Sequence, residues 1–200
     1  MSDLKKSKPK EKYLVCITGA SGSIYGLRLI QVLTSLKYEV HIIVSEWGEK
    51  VMEQETEKVF SLWVKKLRIP KENIYDPKNL GALPASGSFK FLGTIIVPCS
   101  VNSMGIIASG ASFNLIHRAA QVALKEGHPL LLVPRETPLS LLAIRNLCAL
   151  SESGAIILPA SPAFYHKPKS IDDIIDFVVG KILDRLSISH NLNTKWEGLK

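Results

Sequence analysis

The sequence predicts a single α/β domain with a parallel sheet and helices on both of its faces. Short apolar and β-branched runs, as at residues 13–17 and 38–44, alternate with longer segments whose apolar residues recur at helical spacing. A strand, a helix and a second strand in succession favour parallel pairing, which places ligands at the carboxyl ends of the strands. The 200 residues suffice to bury one core without disulfide or metal staples.

Turn signals separate the predicted elements along the chain. The pattern predicts strands at residues 13–17, 38–44, 91–97, 129–133 and 155–158. It predicts helices from about residue 24, after Ser45 to about 58, and over residues 104–109, 114–126, 139–150 and 170–186. Residues 60–89 read mostly as loop, with a short helix at 60–67, because prolines and glycines interrupt the rest. The domain therefore spans residues 13–186, between a disordered basic tail at 1–12 and a C-terminal tail at 187–200.

The formal net charge of +7 at pH 7 does not predict nucleic-acid binding. Residues 1–12 contain five lysines and two acidic residues, so this tail supplies +3 and the rest of the chain supplies +4. The interleaved basic and aromatic residues that are typical of nucleic-acid surfaces are missing. Scattered lysines on a solvated surface explain the remaining charge.

Composition also argues against metals and membranes. Cys16, Cys99 and Cys148 lie far apart without a CxxC pair, so neither a disulfide framework nor a zinc site is predicted. The five histidines show no metal-ligand spacing. No segment reaches the roughly 20 apolar residues of a membrane span, and the N-terminus lacks the apolar core of a signal peptide. We therefore expect a metal-free cytoplasmic protein.

Residues 17–26, with the sequence ITGASGSIYG, form the strongest local signal. The glycines at 19, 22 and 26 fall between the first strand and the first helix, where small residues let backbone N–H groups approach an anion. Three hydroxyl residues add donors: Thr18, Ser21 and Ser23. The spacing is not the strict dinucleotide fingerprint. It predicts a cradle for a nucleotide-like phosphate or, alternatively, a tight turn that needs small residues.

Polar residues also follow the later strands. Ser45 ends the second strand, residues 98–103 end the third, and Arg135 and Glu136 follow the fourth. Because the carboxyl ends of parallel strands meet at one edge, these loops predict a cofactor pocket there. Residues 84–88 offer another small-residue anion nest, or a plain surface turn. Arg118 and Lys125 stand about 10 Å apart along the helix axis, so their side chains must converge, or reach a neighbouring subunit, to share an anion.

Six motifs follow one another along the chain: TGASGSIYGLR at 18–28, PASG at 84–87, VPCS at 97–100, NLIHRAA at 114–120, VPRETP at 133–138 and AFYHKP at 163–168. Together they closely resemble the flavin prenyltransferases of the UbiX family. The resemblance implies a Rossmann-like or flavodoxin-like domain that assembles as a dodecamer. It also implies metal-independent transfer of a dimethylallyl group from dimethylallyl phosphate to N5 and C6 of reduced FMN, and delivery of the prenylated FMN to a partner decarboxylase.

The resemblance also assigns roles to individual positions. It implies FMN contacts at Gly19, Ala20, Ser21, Ser45, Ser100, Val101, Asn102, Ser103 and Arg135. It places dimethylallyl phosphate against Ser86, Gly87, Arg118, Lys125, Tyr165 and Lys181, with Arg118 and Lys125 from a neighbouring subunit. It implies catalytic roles for Ser21, Glu55, Glu136 and Tyr165. Two positions depart from the family pattern. This chain has Lys181 where the family often has an arginine, and Asn102 where the family usually has a small residue.

Other functions remain open from the sequence. A flavin-dependent cysteine decarboxylase shares the fold, but it would need a histidine after the second strand and a Pro-x-Met-Asn motif, and neither is present. A non-enzymatic FMN-binding protein is a second alternative. A short-chain dehydrogenase is suggested by Tyr165-x-x-x-Lys169, but Pro168 prevents the helix that such a pair requires.

Overall fold

Six parallel strands form the centre of the molecule, in the order β3-β2-β1-β4-β5-β6. The computed structural model describes residues 11–192. The strands are β1 (Lys12–Ile17), β2 (Glu39–Val44), β3 (Ile74–Tyr75), β4 (Gly93–Cys99), β5 (Leu130–Pro134) and β6 (Ile156–Ile157). This is the strand order of the Rossmann class, which reverses direction between β1 and β4 and opens a ligand crevice there. The predicted fold class is confirmed.

Seven α-helices cover both faces of this sheet in the described part of the chain. They are α1 (Ser23–Ser35), α2 (Glu46–Thr56), α3 (Phe60–Leu67), α4 (Val101–Ala108), α5 (Leu115–Lys125), α6 (Leu141–Glu152) and α7 (Ile171–Arg185). Helices α1, α2, α3 and α7 pack together over one face, and α4, α5 and α6 over the other. The central strands are almost wholly buried, as expected for a parallel sheet that is covered on both sides.

Side-chain caps explain where several helices begin. Ser45, Ser100, Asn114, Ser140 and Ser170 each accept a hydrogen bond from a backbone N–H in the first turn of the following helix. Such caps satisfy N–H groups that otherwise have no partner within the helix. At α7 the reciprocal bond from the Ser170 N–H to the Asp173 side chain completes a capping box.

Some predicted boundaries were wrong. The two-residue edge strand β3 lies in the region that the sequence predicted to be loop, because two apolar residues give too short a pattern to recognise. The third predicted strand is shifted towards its carboxyl end, since Phe91 packs in an aromatic cluster and β4 continues through Cys99. The helix predicted at 104–109 begins at Val101, directly after its Ser100 cap.

The ends of the predicted domain lie close to the observed elements. Lys12 pairs with Glu39 at the start of β1, so the sheet begins inside the predicted tail. Ile188 is 6% exposed and belongs to the core beside α7. Trp196 lies outside the described residues. Within residues 11–192, the helices are too short or too polar to span a bilayer.

Candidate active site

Thr18 joins the ends of β1 and β4 at the point where the strand order reverses. Its N–H and its hydroxyl both donate to the carbonyl oxygen of Pro98, at 3.2 and 2.9 Å. The same hydroxyl oxygen accepts from the Ser100 N–H at 2.8 Å. Thr18 is 2% exposed, so these bonds lie out of solvent. They fix the loop after β1 against the loop after β4, which carry the proposed cofactor residues.

The loop after β2 lies beside the glycine loop. The Ser45 N–H donates to the carbonyl of Ile17 at 2.9 Å. A Cβ atom at Gly19 would stand 2.5 Å from the Cβ of Trp47, so only glycine permits this approach. Ser45 therefore reaches the same edge as Gly19, as the sequence predicted.

The N-terminus of α1 is capped by a carboxylate from α2. Glu55 accepts hydrogen bonds from the N–H groups of Gly22 and Ser23, at 2.8 and 2.9 Å, and from Ser23 Oγ at 2.7 Å. These are the donors that the sequence predicted to cradle a phosphate. The Glu55 carboxylate lies at the anion position of this helix end, and the phosphate cradle stays a prediction.

These hydrogen bonds also set the charge of Glu55. Burial alone would raise the pKa of its carboxyl group. Hydrogen bonds from the side chains of Ser21 and Ser23 and from the two backbone N–H groups outweigh burial, so the pKa lies below its usual value. Glu55 is therefore ionised at neutral pH. The hydrogen-bond donors of the glycine loop make it harder to protonate than a free glutamate.

Arg135 closes the glycine loop from the other side. Its Nε donates to the carbonyl oxygen of Ser21 at 2.9 Å, although 114 residues separate the two in sequence. Ser21, Glu55 and Arg135 line one cavity of about 560 Å³. Its remaining wall includes Tyr25 and the first turns of α7, and it is open to solvent. The structure thus brings together three residues that the sequence placed in one site.

The loop after β4 presents a chain of hydroxyl groups. Ser100 Oγ donates to Ser103 Oγ at 3.1 Å and accepts from the Ser103 N–H at 3.2 Å. His117 Nε2 lies 3.4 Å from Ser103 Oγ, and His117 Nδ1 accepts from the Phe113 N–H. Burial lowers the pKa of His117, so the imidazole is neutral and Nε2 carries its proton. Val101 and Asn102 form the first turn of α4 beside this chain.

A second group of predicted residues lies on the α5 face of the sheet. Ser86 and Gly87 follow a 3₁₀ turn at Leu83–Ala85, which packs on α5. The Lys125 ammonium is hydrogen-bonded to the carboxylate of Glu126, and that carboxylate lies against Gly87. Arg118 is exposed about two turns earlier on the same helix. The structure therefore brings Ser86 and Gly87 close to Lys125, while Arg118 projects from the same helix.

A third group surrounds Phe177 of α7. The Phe177 ring packs edge-on against Tyr165 at a centroid distance of 5.9 Å and stacks on His166 at 5.2 Å. Lys181 Nζ lies 5.7 Å from the same ring and 3.5 Å from Asp184. The segment around Tyr165 is irregular, which agrees with the loop that Pro168 predicts. Tyr165 and Lys181 thus lie near one aromatic ring on the opposite face from α5.

The predicted site residues therefore fall into three groups on one protomer. Glu136 belongs with the first, on the exposed loop after β5, where its carboxylate accepts from the Thr137 N–H at 3.2 Å. Sequence reasoning missed Trp47, which is 67% exposed beside the glycine loop, and Glu126 beside Lys125. An aromatic residue two positions after the strand-end Ser45 was the available signal for Trp47. Among the described residues no cluster of His, Cys, Asp and Glu has the geometry of a metal site.

A doubly wound parallel sheet with an open cavity and hydroxyl-bearing loops at its carboxyl edge is typical of nucleotide- or flavin-binding proteins. A family model described as Flavoprotein matches residues 1–183. Flavin prenyltransferase UbiX of Aquifex aeolicus is 44% identical over 190 residues, which cover 94% of this chain and 100% of the relative. The mitochondrial flavin prenyltransferase PAD1 of Saccharomyces cerevisiae is 42% identical, over 97% of this chain and 79% of that protein. The chain belongs to the UbiX family of flavin prenyltransferases, as its motifs predicted.

Solved structures give the same result. The crystal structure of AnUbiX (PadA1) in complex with FMN and dimethylallyl pyrophosphate superposes with a TM-score of 0.91 and 36% identity, over 96% of this chain and all of that one. A dodecameric FMN-dependent UbiX-like decarboxylase from Escherichia coli O157:H7 superposes with a TM-score of 0.88 and 37% identity, over 94% and 100% of the two chains. The cysteine decarboxylase TvaF, at 17% identity and a TM-score of 0.59, shares the fold alone.

Proposed function

We propose that this enzyme transfers a dimethylallyl group from dimethylallyl phosphate to N5 and C6 of reduced FMN. The observation that carries the proposal is the cavity shared by Ser21, Glu55 and Arg135 in a chain that belongs to the flavin prenyltransferases. A related structure holds both FMN and dimethylallyl pyrophosphate, which supports the two substrates. The transfer adds one C5H8 unit to FMN, because the C5H9 group replaces one hydrogen.

The residues at the sheet edge suit a flavin mononucleotide. The cavity of about 560 Å³ is open on one side, and Ser45 and Ser100 cap two helices at the same edge of the sheet. The Ser45 hydroxyl accepts a backbone N–H and keeps its own proton to donate to a phosphate or ribityl oxygen, whereas the Ser100 hydroxyl already donates to Ser103 Oγ. Arg135 adds a cation, and Gly19, Ala20 and residues 101–103 complete the proposed set. Reduced FMN supplies the nucleophilic nitrogen and the ring carbon that become alkylated.

The cationic residues suit the phosphate leaving group. Cleavage of the allylic C–O bond leaves the electron pair on phosphate, so positive charge there lowers the barrier. Arg118 and Lys125 lie on the α5 face and Lys181 on the α7 face, so one protomer does not gather them beside its own cavity. An assembly that apposes the α5 face of one protomer to the cavity of another would complete the site. We propose a homo-oligomer of this kind, dodecameric as in the E. coli relative.

Proton transfer falls to the carboxylates at the cavity. Ring closure at C6 adds one proton to the prenyl double bond and removes one from C6, so it requires an acid and a base. Glu136, exposed on the loop that also carries Arg135, is the proposed base. Glu55 is ionised and accepts hydrogen bonds from the side chains of Ser21 and Ser23. It can therefore orient the Ser21 hydroxyl so that this hydroxyl exchanges a proton with the flavin. Tyr165 supplies an aromatic wall for the allylic cation. None of these steps assigns a role to a metal.

The product is proposed to serve a partner decarboxylase that uses prenylated FMN. A cytoplasmic location stays a prediction, with which the three free cysteines are consistent.

Anaerobic incubation with reduced FMN and dimethylallyl phosphate tests the proposal, with mass spectrometry of the extracted flavin as the readout. We expect a mass gain of one C5H8 unit in the wild type, its loss in Glu136→Gln and, at dimethylallyl phosphate concentrations well below KM, a decrease in Lys181→Ala. Glu152→Gln, at the exposed end of α6, is the matched control and should retain the product. Bound FMN that is recovered unmodified from the wild type would instead favour a flavin-storage protein or a cysteine decarboxylase.

A further inference from the structure

Glu126 occupies a position next to the groups proposed to hold the substrate phosphate. A Cβ atom at Gly87 would stand 2.7 Å from the carboxylate carbon of Glu126 and 3.1 Å from its Cγ. The same carboxylate is hydrogen-bonded to the Lys125 ammonium. A negatively charged group therefore already lies between Gly87 and Lys125, where the proposed function needs the phosphate.

Helix stability does not explain this carboxylate. Glu126 is the C-cap of α5, where the backbone carbonyls carry partial negative charge. Acidic side chains are unfavourable at a helix C-terminus, whereas Lys125 in the last turn is favourable. A glutamine or lysine at 126 would therefore stabilise the helix more than glutamate does. We infer that Glu126 acts on the loop that it contacts, at Gly87.

The carboxylate is free to leave this position. The side chains of Lys125 and Glu126 are 54% and 36% exposed, so both are within reach of solvent and of a ligand. Exposed ion pairs contribute little stability, and a doubly charged phosphate competes well for the same ammonium. The hydrogen bond from Lys125 lowers the pKa of Glu126, which is consequently ionised at neutral pH. A bound phosphate and an ionised Glu126 would repel each other across one cation.

We propose that Glu126 is an internal carboxylate ligand that holds Lys125 and the Ser86–Gly87 turn in place until the phosphate of the prenyl substrate displaces it. The proposal rests on the function proposed above. Because the phosphate must displace the carboxylate, the two compete for the same site. The Glu126 carboxylate therefore weakens phosphate binding, and it keeps the empty site ordered. Glu126 is thus a positioning residue that also tunes affinity for the phosphate.

The variant Glu126→Gln tests this, because it removes the charge and keeps the shape. We expect the KM for dimethylallyl phosphate to fall about two- to fivefold, which is the range for exposed charge interactions. The inhibition constant of inorganic phosphate, measured against dimethylallyl phosphate, should fall by the same factor, while kcat changes less than KM. Glu152→Gln makes the same change at the end of α6 and should alter neither constant.

Each outcome has a distinct meaning. An unchanged or raised KM and inhibition constant in Glu126→Gln would overturn the competitor role. Equal decreases in Glu126→Gln and Glu152→Gln would also overturn it, because net charge alone would then explain the effect. Absence of prenylated FMN from the wild type would refute the proposed function, and calorimetry with inorganic phosphate on the same two variants would still decide the role of Glu126.

Discussion

The carboxylate of Glu55 in α2 accepts a 2.7 Å hydrogen bond from the hydroxyl of Ser23 in the first turn of α1. Together with two backbone N–H donors, this bond makes a side chain from one helix the cap of another. The glycine loop is therefore held closed without a ligand. Its conformation, and with it the position of Ser21, depends on a charge 32 residues away from Ser23.

Glu55→Gln should destabilise the protein by about 1 kcal/mol at pH 7, because a neutral amide accepts these hydrogen bonds more weakly than a carboxylate. The lowered pKa of Glu55 adds stability that is present above the unfolded-state pKa of about 4.3 and is lost as pH falls through the folded-state value. The free energies of unfolding of the wild type and of Glu55→Gln, measured by chemical unfolding from pH 7 to pH 3.5, should therefore converge as the pH falls. Glu53→Gln on the same helix is the control, and an equal loss there would contradict the prediction.

Two buried histidines should make the protein sensitive to mild acid. Burial is the main cause that lowers the pKa of His41, which lies between Glu39 and Tyr75, and of His117, which lies beside Ser103. The unfolded chain therefore binds more protons, and stability falls as pH decreases through about 6.5. The free energy of unfolding should decline between pH 7.5 and pH 5.5, and His117→Gln should reduce the slope. A wild-type curve that is flat over this interval would refute the effect.

Arg135→Ala should weaken FMN binding about tenfold, because the loop loses its cation and the 2.9 Å bond to the Ser21 carbonyl. Titration of oxidised FMN, followed by its fluorescence, measures the affinity without requiring turnover. Arg145→Ala, on the exposed side of α6, should bind FMN as the wild type does. Unchanged affinity in Arg135→Ala would remove this residue from the proposed cofactor site.

The sequence predicted the sheet well because its central strands are continuous apolar runs. Residues 13–17 and 129–133 were recognised as strands from their apolar composition alone, because a strand that is buried on both faces has few polar residues. The edge strand β3 was not predicted, because two residues are too few to show a periodic pattern. Serine caps at 45 and 100 were recognised as strand-end donors, but their role as helix caps required the backbone geometry.

The site was predicted in part, for a different reason. Local motifs identified Ser21 and Arg135, but their hydrogen bond spans 114 residues and no local pattern reports it. No local pattern shows that two N–H groups of the glycine loop bind Glu55, because this carboxylate lies outside the glycine motif. Tyr165 and Lys181 approach each other through Phe177, a contact that depends on where an irregular loop folds back onto α7.

Lys181 offers a direct test of phosphate recognition, because the family often has an arginine there. Its ammonium lies over the Phe177 ring, 3.5 Å from Asp184, with the side chain 47% exposed. A lysine offers a point charge, whereas arginine offers a planar fork that binds two phosphate oxygens at once. Lys181→Arg should therefore lower the KM for dimethylallyl phosphate about two- to tenfold, with a small change in kcat.

Lys181→Ala should have the opposite effect and raise that KM about tenfold or more, because the phosphate loses a cation. Arg185→Lys, one turn further along α7, makes the reverse exchange and should leave the KM unchanged if Lys181 alone faces the substrate. The three KM values, measured with inorganic phosphate as a competitor, separate direct contact from general charge. Equal KM values for Lys181→Ala and wild type would show that the phosphate lies elsewhere, and Arg118 and Lys125 of the neighbouring protomer would then have to bind it without help from α7.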